Sequence, residues 1–252
     1  AALWPALLRQ LGSARIPARQ AALIAVAPRA EPLVIPGPAG AIEALLEPPL
    51  PSTPVPPAPA PAPAAFAALC HAHPLHGGTM QHKVLHTLAQ VFRELGMPAL
   101  RFNYRGVGAS AGSYDNGRGE TQDALAVIAY GRSRWPGATP ALAGFSFGAM
   151  VALRAAISIT PALLVTVAPA VGRPDSNAVS RPDCPWLIVQ GDIDEIVDYR
   201  QVQAFAERFT PPPRLQILPG VEHFFHGRLH ELHDAVINFA REETRQPSAA
   251  GL

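Results

Sequence analysis

The residues of this chain best suited to chemistry are one serine between glycines, two closely spaced aspartates and a histidine, each directly after a short apolar run. Gly144-Phe145-Ser146-Phe147-Gly148 lies between the run Ala141 to Phe145 and the Ala-rich run Phe147 to Ile157. This is G-x-S-x-G where a strand meets a helix. In so tight a turn Gly144 and Gly148 leave room for neighbouring backbone, and Ser146 is held strained with its hydroxyl at the helix N-terminus. A serine hydroxyl is a weak nucleophile at neutral pH, so it needs a histidine base and a carboxylate to orient that base. Two later loops supply them: Gly191-Asp192-Ile193-Asp194-Glu195-Ile196-Val197, and Gly220-Val221-Glu222-His223-Phe224-Phe225. Their positions leave both Asp192 and Asp194 open as the acid. His226, His230 and His233 compete with His223, but their spacing places them on a closing helix as a solvated or capping face.

Metal chemistry is the sharpest rival. His71, His73 and His76 approach the H-x-H-x-D-H spacing of metal-dependent hydrolases, with Leu75 where the acid belongs. His82 and His86 are an i, i+4 pair as in H-E-x-x-H, but Lys83 replaces the glutamate. Both patterns break at the acid, whereas the serine constellation is unbroken, so no metal and no cofactor is expected. The other rival is an inactive protein of the same fold that serves as a binding or interaction module.

These residues need strands and helices to position them. After Ala65, buried-strand candidates (66–71, 99–104, 141–145, 162–167, 186–190, 215–218) alternate with amphipathic helices (80–95, 120–132, 147–157, 199–209, 229–242). That alternation predicts an α/β fold with a mostly parallel central sheet and helices on both faces. Its reactive groups belong in the loops after the carboxyl ends of the strands, where all the candidates fall. Ahead of this unit, Glu31 to Ile35 and Ala41 to Glu47 flank Pro36-Gly37-Pro38-Ala39-Gly40 as a hairpin-like pair of strands. Between Val167 and Trp186 only about 18 residues are available, too few for a helical cap, so no large cap domain is expected.

Composition bounds the rest. With 252 residues, 48% apolar, there is room for one α/β domain. A net charge of +1 with 15% charged residues gives no field for nucleic acid. Lys83 is the sole lysine among 20 basic residues, which nearly excludes Schiff-base or Walker A chemistry. Cys70 and Cys184, in apolar contexts, read as reduced and buried. Prolines interrupt every apolar stretch, so no membrane span is expected. Residues 1–30 hold four arginines and no acid; they resemble a transit segment faintly and are read as an Ala/Arg-rich extension. With no clear signal-peptide pattern, a cytoplasmic location is expected. Nine prolines between Pro48 and Pro63 make residues 48–64 a stiff exposed connector inside a domain spanning 31–245, and 246–252 a flexible tail.

The segments HAHPLHGGTMQHK, RFNYRGVGASAGSYD, AGFSFGAM, VQGDIDEIVD and EHFFHGRL follow one another in an order that resembles the α/β-hydrolase superfamily. The resemblance, running from about Glu31 to Glu242, is greatest to the compact, cap-poor bacterial serine hydrolases and esterases near the dienelactone hydrolases. It implies the α/β-hydrolase fold and hydrolysis of a carboxylic ester through a Ser-His-Asp triad and an acyl-enzyme. In the family's G-x-x-D-x-x-V pattern the second acid is the triad member, which assigns Ser146, Asp194 and His223 and leaves Asp192 to shape the loop. The oxyanion hole then takes the Phe147 N–H and one from the loop His71 to Gly78. Pro74 has no N–H, so Leu75 is the second donor. Arg105 to Ser110 resembles another loop at that edge and reads as a structural turn. The expected substrate is a small ester with a short acyl chain, with Phe145, Phe147, Phe224 and Phe225 read either as apolar walls or as core packing. Activity is expected to fall below roughly pH 6 to 7, where imidazoles protonate.

Overall fold

The computed structural model describes residues 29–51, 62–172 and 179–245. The N-terminal extension before residue 29, the middle of the Pro-rich connector and the tail after 245 lie outside them.

The described residues open with the hairpin β1 (Glu31–Gly37) and β2 (Gly40–Glu47), in register from Glu31 against Leu46 to Gly37 against Gly40. Its period-2 pattern turns Ile35, Ile42, Ala44 and Leu46 inward. β3 (Ala65–Cys70), α1 (Lys83–Glu94), β4 (Ala99–Phe102), α2 (Arg118–Arg134), β5 (Thr139–Phe145), α3 (Phe147–Ile159), β6 (Leu164–Val167), β7 (Trp186–Gly191), α4 (Tyr199–Ala206), β8 (Arg214–Leu218) and α5 (Leu229–Arg245) follow. The eight strands form one sheet in the order β1-β2-β4-β3-β5-β6-β7-β8. The run from β4 to β8 is parallel, and β2 meets β4 antiparallel. Among the described residues there is no large cap domain.

Both sheet faces are covered, which explains why the inner strands read as unbroken apolar runs. Phe66, Ala68, Leu142, Trp186 and Ile188 point to the side packed by α2, α3 and α4. Ala67, Leu69, Ala143, Leu187 and Val189 point to the side packed by α1 and α5. Complete burial of one large apolar side chain stabilises by about 1.5–3 kcal/mol, so the alternation fixes each strand's facing. α1 shows how the helices answer: Val84, Leu85, Leu88, Val91 and Phe92 share one buried stripe, and the chain leaves the helix through Gly96 at φ +80°.

Connections from β3 run to one side of the sheet and from β5 to the other, because β4 lies outside β3 and β6 outside β5. The topology reverses between the carboxyl ends of β3 and β5. This is where an open α/β sheet has its crevice.

Candidate active site

Ser146 stands alone between β5 and α3 with φ 56° and ψ −117°, a conformation L-residues rarely adopt. The strain is held by surroundings that leave no alternative. Its N–H donates to Val167 O at the end of β6 (2.8 Å), and its own C=O accepts from Ala149 (3.1 Å) and Ala170 (3.3 Å). A Cβ on Gly144 would sit 2.1 Å from Gly148 O, and one on Gly148 would sit 2.2 Å from Cys70 O and 2.3 Å from His71 O. Only glycine at both positions lets the turn close this tightly against the end of β3.

His223 Nε2 lies 3.2 Å from Ser146 Oγ, and His223 Nδ1 lies 2.7 Å from Asp194 Oδ2. The histidine and the aspartate are almost wholly enclosed, with side chains 3% and 0% exposed. Burial alone would raise the Asp194 pKa; hydrogen bonds from His223, Val197 and Ile196 outweigh it and hold the carboxyl below its ordinary value. The acid is therefore ionised beside the imidazole. The two loops are tied together: Asp192 Oδ1 accepts from Gly220 N–H (2.6 Å), Ile193 N–H donates to Val221 O (3.3 Å), and Glu195 accepts from His223 N–H (3.3 Å). Asp192 faces the turn after β8, while Asp194 faces the histidine.

The loop after β3 is built as a 3₁₀ turn, Pro74–His76. His76 and Gly78 donate to His73 O, and Gly77 donates to Pro74 O, leaving the Leu75 N–H outside the turn's own pairing. Phe147, first residue of α3, has no intrahelical acceptor for its N–H. Four contacts fix this loop: His71 Nε2 accepts from Tyr104 N–H (3.2 Å), Asn103 Oδ1 from Met80 N–H (2.9 Å), Met80 O from Arg101 Nη1 (2.5 Å), and Tyr114 Oη pairs with His73 Nε2 (3.1 Å). His71 is neutral, its pKa pushed down to about 3 chiefly by burial.

Two expectations need correction, the helical place of His226 and the phenylalanine walls. His226 precedes α5 rather than lying on it; it sits in the loop and pairs with Glu222, and only His230 and His233 are helical. Phe145, Phe147 and Phe225 are core residues, and of the four phenylalanines only Phe224 is half-buried. The histidines of the two metal-like patterns have other partners. His71 Nδ1 donates to Ala72 O (2.7 Å), His82 Nδ1 accepts from Val84 N–H as the cap of α1, and His86 Nε2 faces Arg101 Nη1 (3.2 Å). Among the described residues no three His, Cys, Asp or Glu side chains converge as a metal site. Cys70 and Cys184 are buried free thiols, and no helix among the described residues is long and apolar enough to cross a membrane. Ser110, in the loop read as structural, bonds Glu43 N–H and Asn103 O.

Sequence reasoning named His82 only in a metal-like pair and missed its place beside the site, where its ring stacks 5.0 Å from that of Phe145, itself 5.0 Å from the His223 ring. Burial, with Lys83 and His223 nearby, pushes the His82 pKa down to about 4. It also missed Gln190, whose Nε2 donates to Asp194 Oδ2 (2.9 Å). The one sequence signal for Gln190 was a polar residue closing an otherwise apolar strand.

Comparison with known proteins gives a consistent result. Residues 68–182 match the family of serine aminopeptidases, S33. A Rickettsia prowazekii protein, RP471, is 32% identical over 184 residues, 69% of this chain and 77% of its own length. Among solved structures, XC6422 from Xanthomonas campestris, an α/β serine hydrolase without a lid, is 39% identical with a TM-score of 0.78, covering 85% of this chain and 94% of its own. An α/β serine hydrolase homologue from Coxiella burnetii is 41% identical with a TM-score of 0.76, covering 82% and 96%.

Proposed function

Since the chain belongs to the α/β-hydrolase superfamily, as a compact member without a large cap domain, we propose that it cleaves carboxylic esters with short acyl chains through Ser146, His223 and Asp194. The observation that carries this reading is the unbroken contact line Ser146 Oγ, His223 Nε2, His223 Nδ1, Asp194 Oδ2 at the crevice between β3 and β5. His223 removes the hydroxyl proton as Ser146 Oγ attacks the acyl carbon. The tetrahedral oxyanion is held by the Phe147 and Leu75 N–H groups; loss of one such donor typically costs on the order of 10²-fold in rate. His223 then returns the proton to the leaving alcohol, and the ester of Ser146 remains. Water, deprotonated by the same imidazole, resolves that acyl-enzyme. Asp194, ionised and aligned, holds the Nδ1–H tautomer and stabilises the imidazolium in both halves.

The short-chain preference is supported by the absence of a cap and by Leu75, 67% exposed on the oxyanion loop, which gives a long acyl chain little enclosure. The test is hydrolysis of p-nitrophenyl acetate, butyrate and a long-chain ester by wild type and Ser146→Ala, each with and without a chelator, beside alanine p-nitroanilide as an aminopeptidase substrate. The reading expects chelator-resistant cleavage of the short esters that disappears with Ser146. Faster cleavage of the long ester would overturn the chain-length assignment, and faster cleavage of the anilide would replace esterase by aminopeptidase.

A further inference from the structure

Gln190 is wholly buried next to the last position of β7, between the apolar Val189 and the acid loop. Its Nε2 is 2.9 Å from Asp194 Oδ2, the same oxygen that lies 2.7 Å from His223 Nδ1. Two further acceptors are within reach of that nitrogen: Val197 O at 3.1 Å and Gly191 O at 3.2 Å. One side-chain amide thus joins the first residue of the acid loop, the last, and the carboxylate between them. Its Oε1 has no hydrogen-bond partner among the described residues. A buried, unpaired amide oxygen is unfavourable, and an apolar side chain of the same shape would avoid it. What offsets the burial is Nε2.

Asp194 is saturated with donors. Oδ1 accepts from Ile196 N–H (2.9 Å) and Val197 N–H (2.8 Å), and Oδ2 is divided between Gln190 and His223. The two backbone bonds fix one oxygen but leave rotation of the other to its own partners. We propose that Gln190 is a positioning residue of the reaction: it holds Asp194 Oδ2 in line with His223 Nδ1 and, by sharing that oxygen, limits how tightly the carboxylate retains a proton on the imidazole. This rests on the reading of Ser146, His223 and Asp194 as the triad. The other titratable groups around His223 are His82 at the start of α1, Glu195, which accepts from the His223 backbone, and the Glu222 and His226 pair on its own loop.

The test uses the full chain carrying Gln190→Met, which keeps length and shape without the N–H donors, and Gln190→Glu. At Gln190→Met, kcat for p-nitrophenyl butyrate is expected to fall about tenfold with little change in KM, as misorientation without lost binding requires. The acid limb of kcat/KM should move from its wild-type position: upward where Asp194 Oδ2, relieved of one donor, stays on His223 Nδ1 and stabilises the imidazolium more, downward where it swings out of line and stabilises it less. At Gln190→Glu a carboxyl buried against Asp194 keeps its proton and can donate its O–H. That variant should recover most of the activity lost in Gln190→Met near neutral pH, then lose it through an alkaline limb that wild type lacks. The downfield proton resonance of His223 Nδ1, read by NMR in the same proteins, should shift in Gln190→Met whether or not the ester is turned over. A wild-type pH profile and an unmoved resonance in Gln190→Met would overturn the proposal even if kcat fell, since a packing defect alone gives that result. If Gln190→Met does not fold, Gln190→Glu decides, and the lack of an alkaline limb overturns it. Activity surviving in Ser146→Ala would instead defeat the triad reading itself.

Discussion

Ser146 is held at φ 56° and ψ −117° by bonds to β6 and by the packing of Gly144 and Gly148, so the elbow stores strain that glycine at 146 would relieve. A non-glycine residue in such a region costs roughly 1–3 kcal/mol. Glycine adds unfolded-state entropy worth about 0.5–1 kcal/mol in the opposite sense. The hydroxyl's contact with His223 at 3.2 Å, about 1 kcal/mol at most, complicates any comparison with wild type but is lost equally in Ser146→Ala and Ser146→Gly. Their difference isolates the strain. At mid-range values Ser146→Gly should be more stable than Ser146→Ala by about 1 kcal/mol. For a domain of this size that is roughly 2–4 °C in Tm. Thermal denaturation followed by circular dichroism at one scan rate reads it directly, with both variants inactive. If Ser146→Gly melts at or below Ser146→Ala, the turn is not strained and the account of how the fold presents the hydroxyl is wrong.

Gly148→Ala would place a Cβ against two backbone carbonyls, so it is expected to lose about 3 kcal/mol or more and to displace the oxyanion loop; urea unfolding together with kcat checks both parts. Asp194→Asn turns an acceptor shared by His223 and Gln190 into a donor facing both, and kcat should fall on the order of 10³ to 10⁴ while KM stays within a few-fold. His71 supplies a pH dependence of stability. Its folded pKa, about 3, lies below the ordinary 6.5, so between these values the unfolded chain binds a proton that the folded chain refuses. Stability is therefore complete above pH 6.5 and lost as pH falls, by about 1.4 kcal/mol per unit from this group. Urea titrations through that window should show the slope lessened by about this amount in His71→Gln; an unchanged slope would mean His71 is not held neutral.

The sheet and most of its helices were legible because strands covered on both faces leave continuous apolar runs, as at Trp186 to Val189, and helices leave stripes, as at Val84 to Phe92. The elbow was legible because its steric demand admits glycine alone at 144 and 148. Other features arise between segments distant in sequence. His226 continues the helical spacing of His230 and His233, yet the turn after β8 extends through Gly227 at φ 69° and the helix starts only at Leu229. Phe145 reads as a possible wall of the crevice, but strand alternation turns it into the α1 and α5 side of the core. The contacts that steady the loop after β3 come from Asn103, Tyr104 and Tyr114, whose partners lie 23 to 41 residues away. Gln190 shows the same limit: its neighbours in the chain are unremarkable, and its role exists only once the loop after β7 folds back over it.

The most direct measurement is reaction with diethyl p-nitrophenyl phosphate followed by peptide mass mapping, in native protein, unfolded protein and Ser146→Ala. The phosphorus traps whichever hydroxyl is activated, with or without knowledge of the natural ester. The account predicts one adduct per native chain, on the peptide carrying Ser146, with ester hydrolysis lost in step, and no adduct in the other two samples. Labelling at another residue, or hydrolysis that continues after Ser146 is removed, would contradict it.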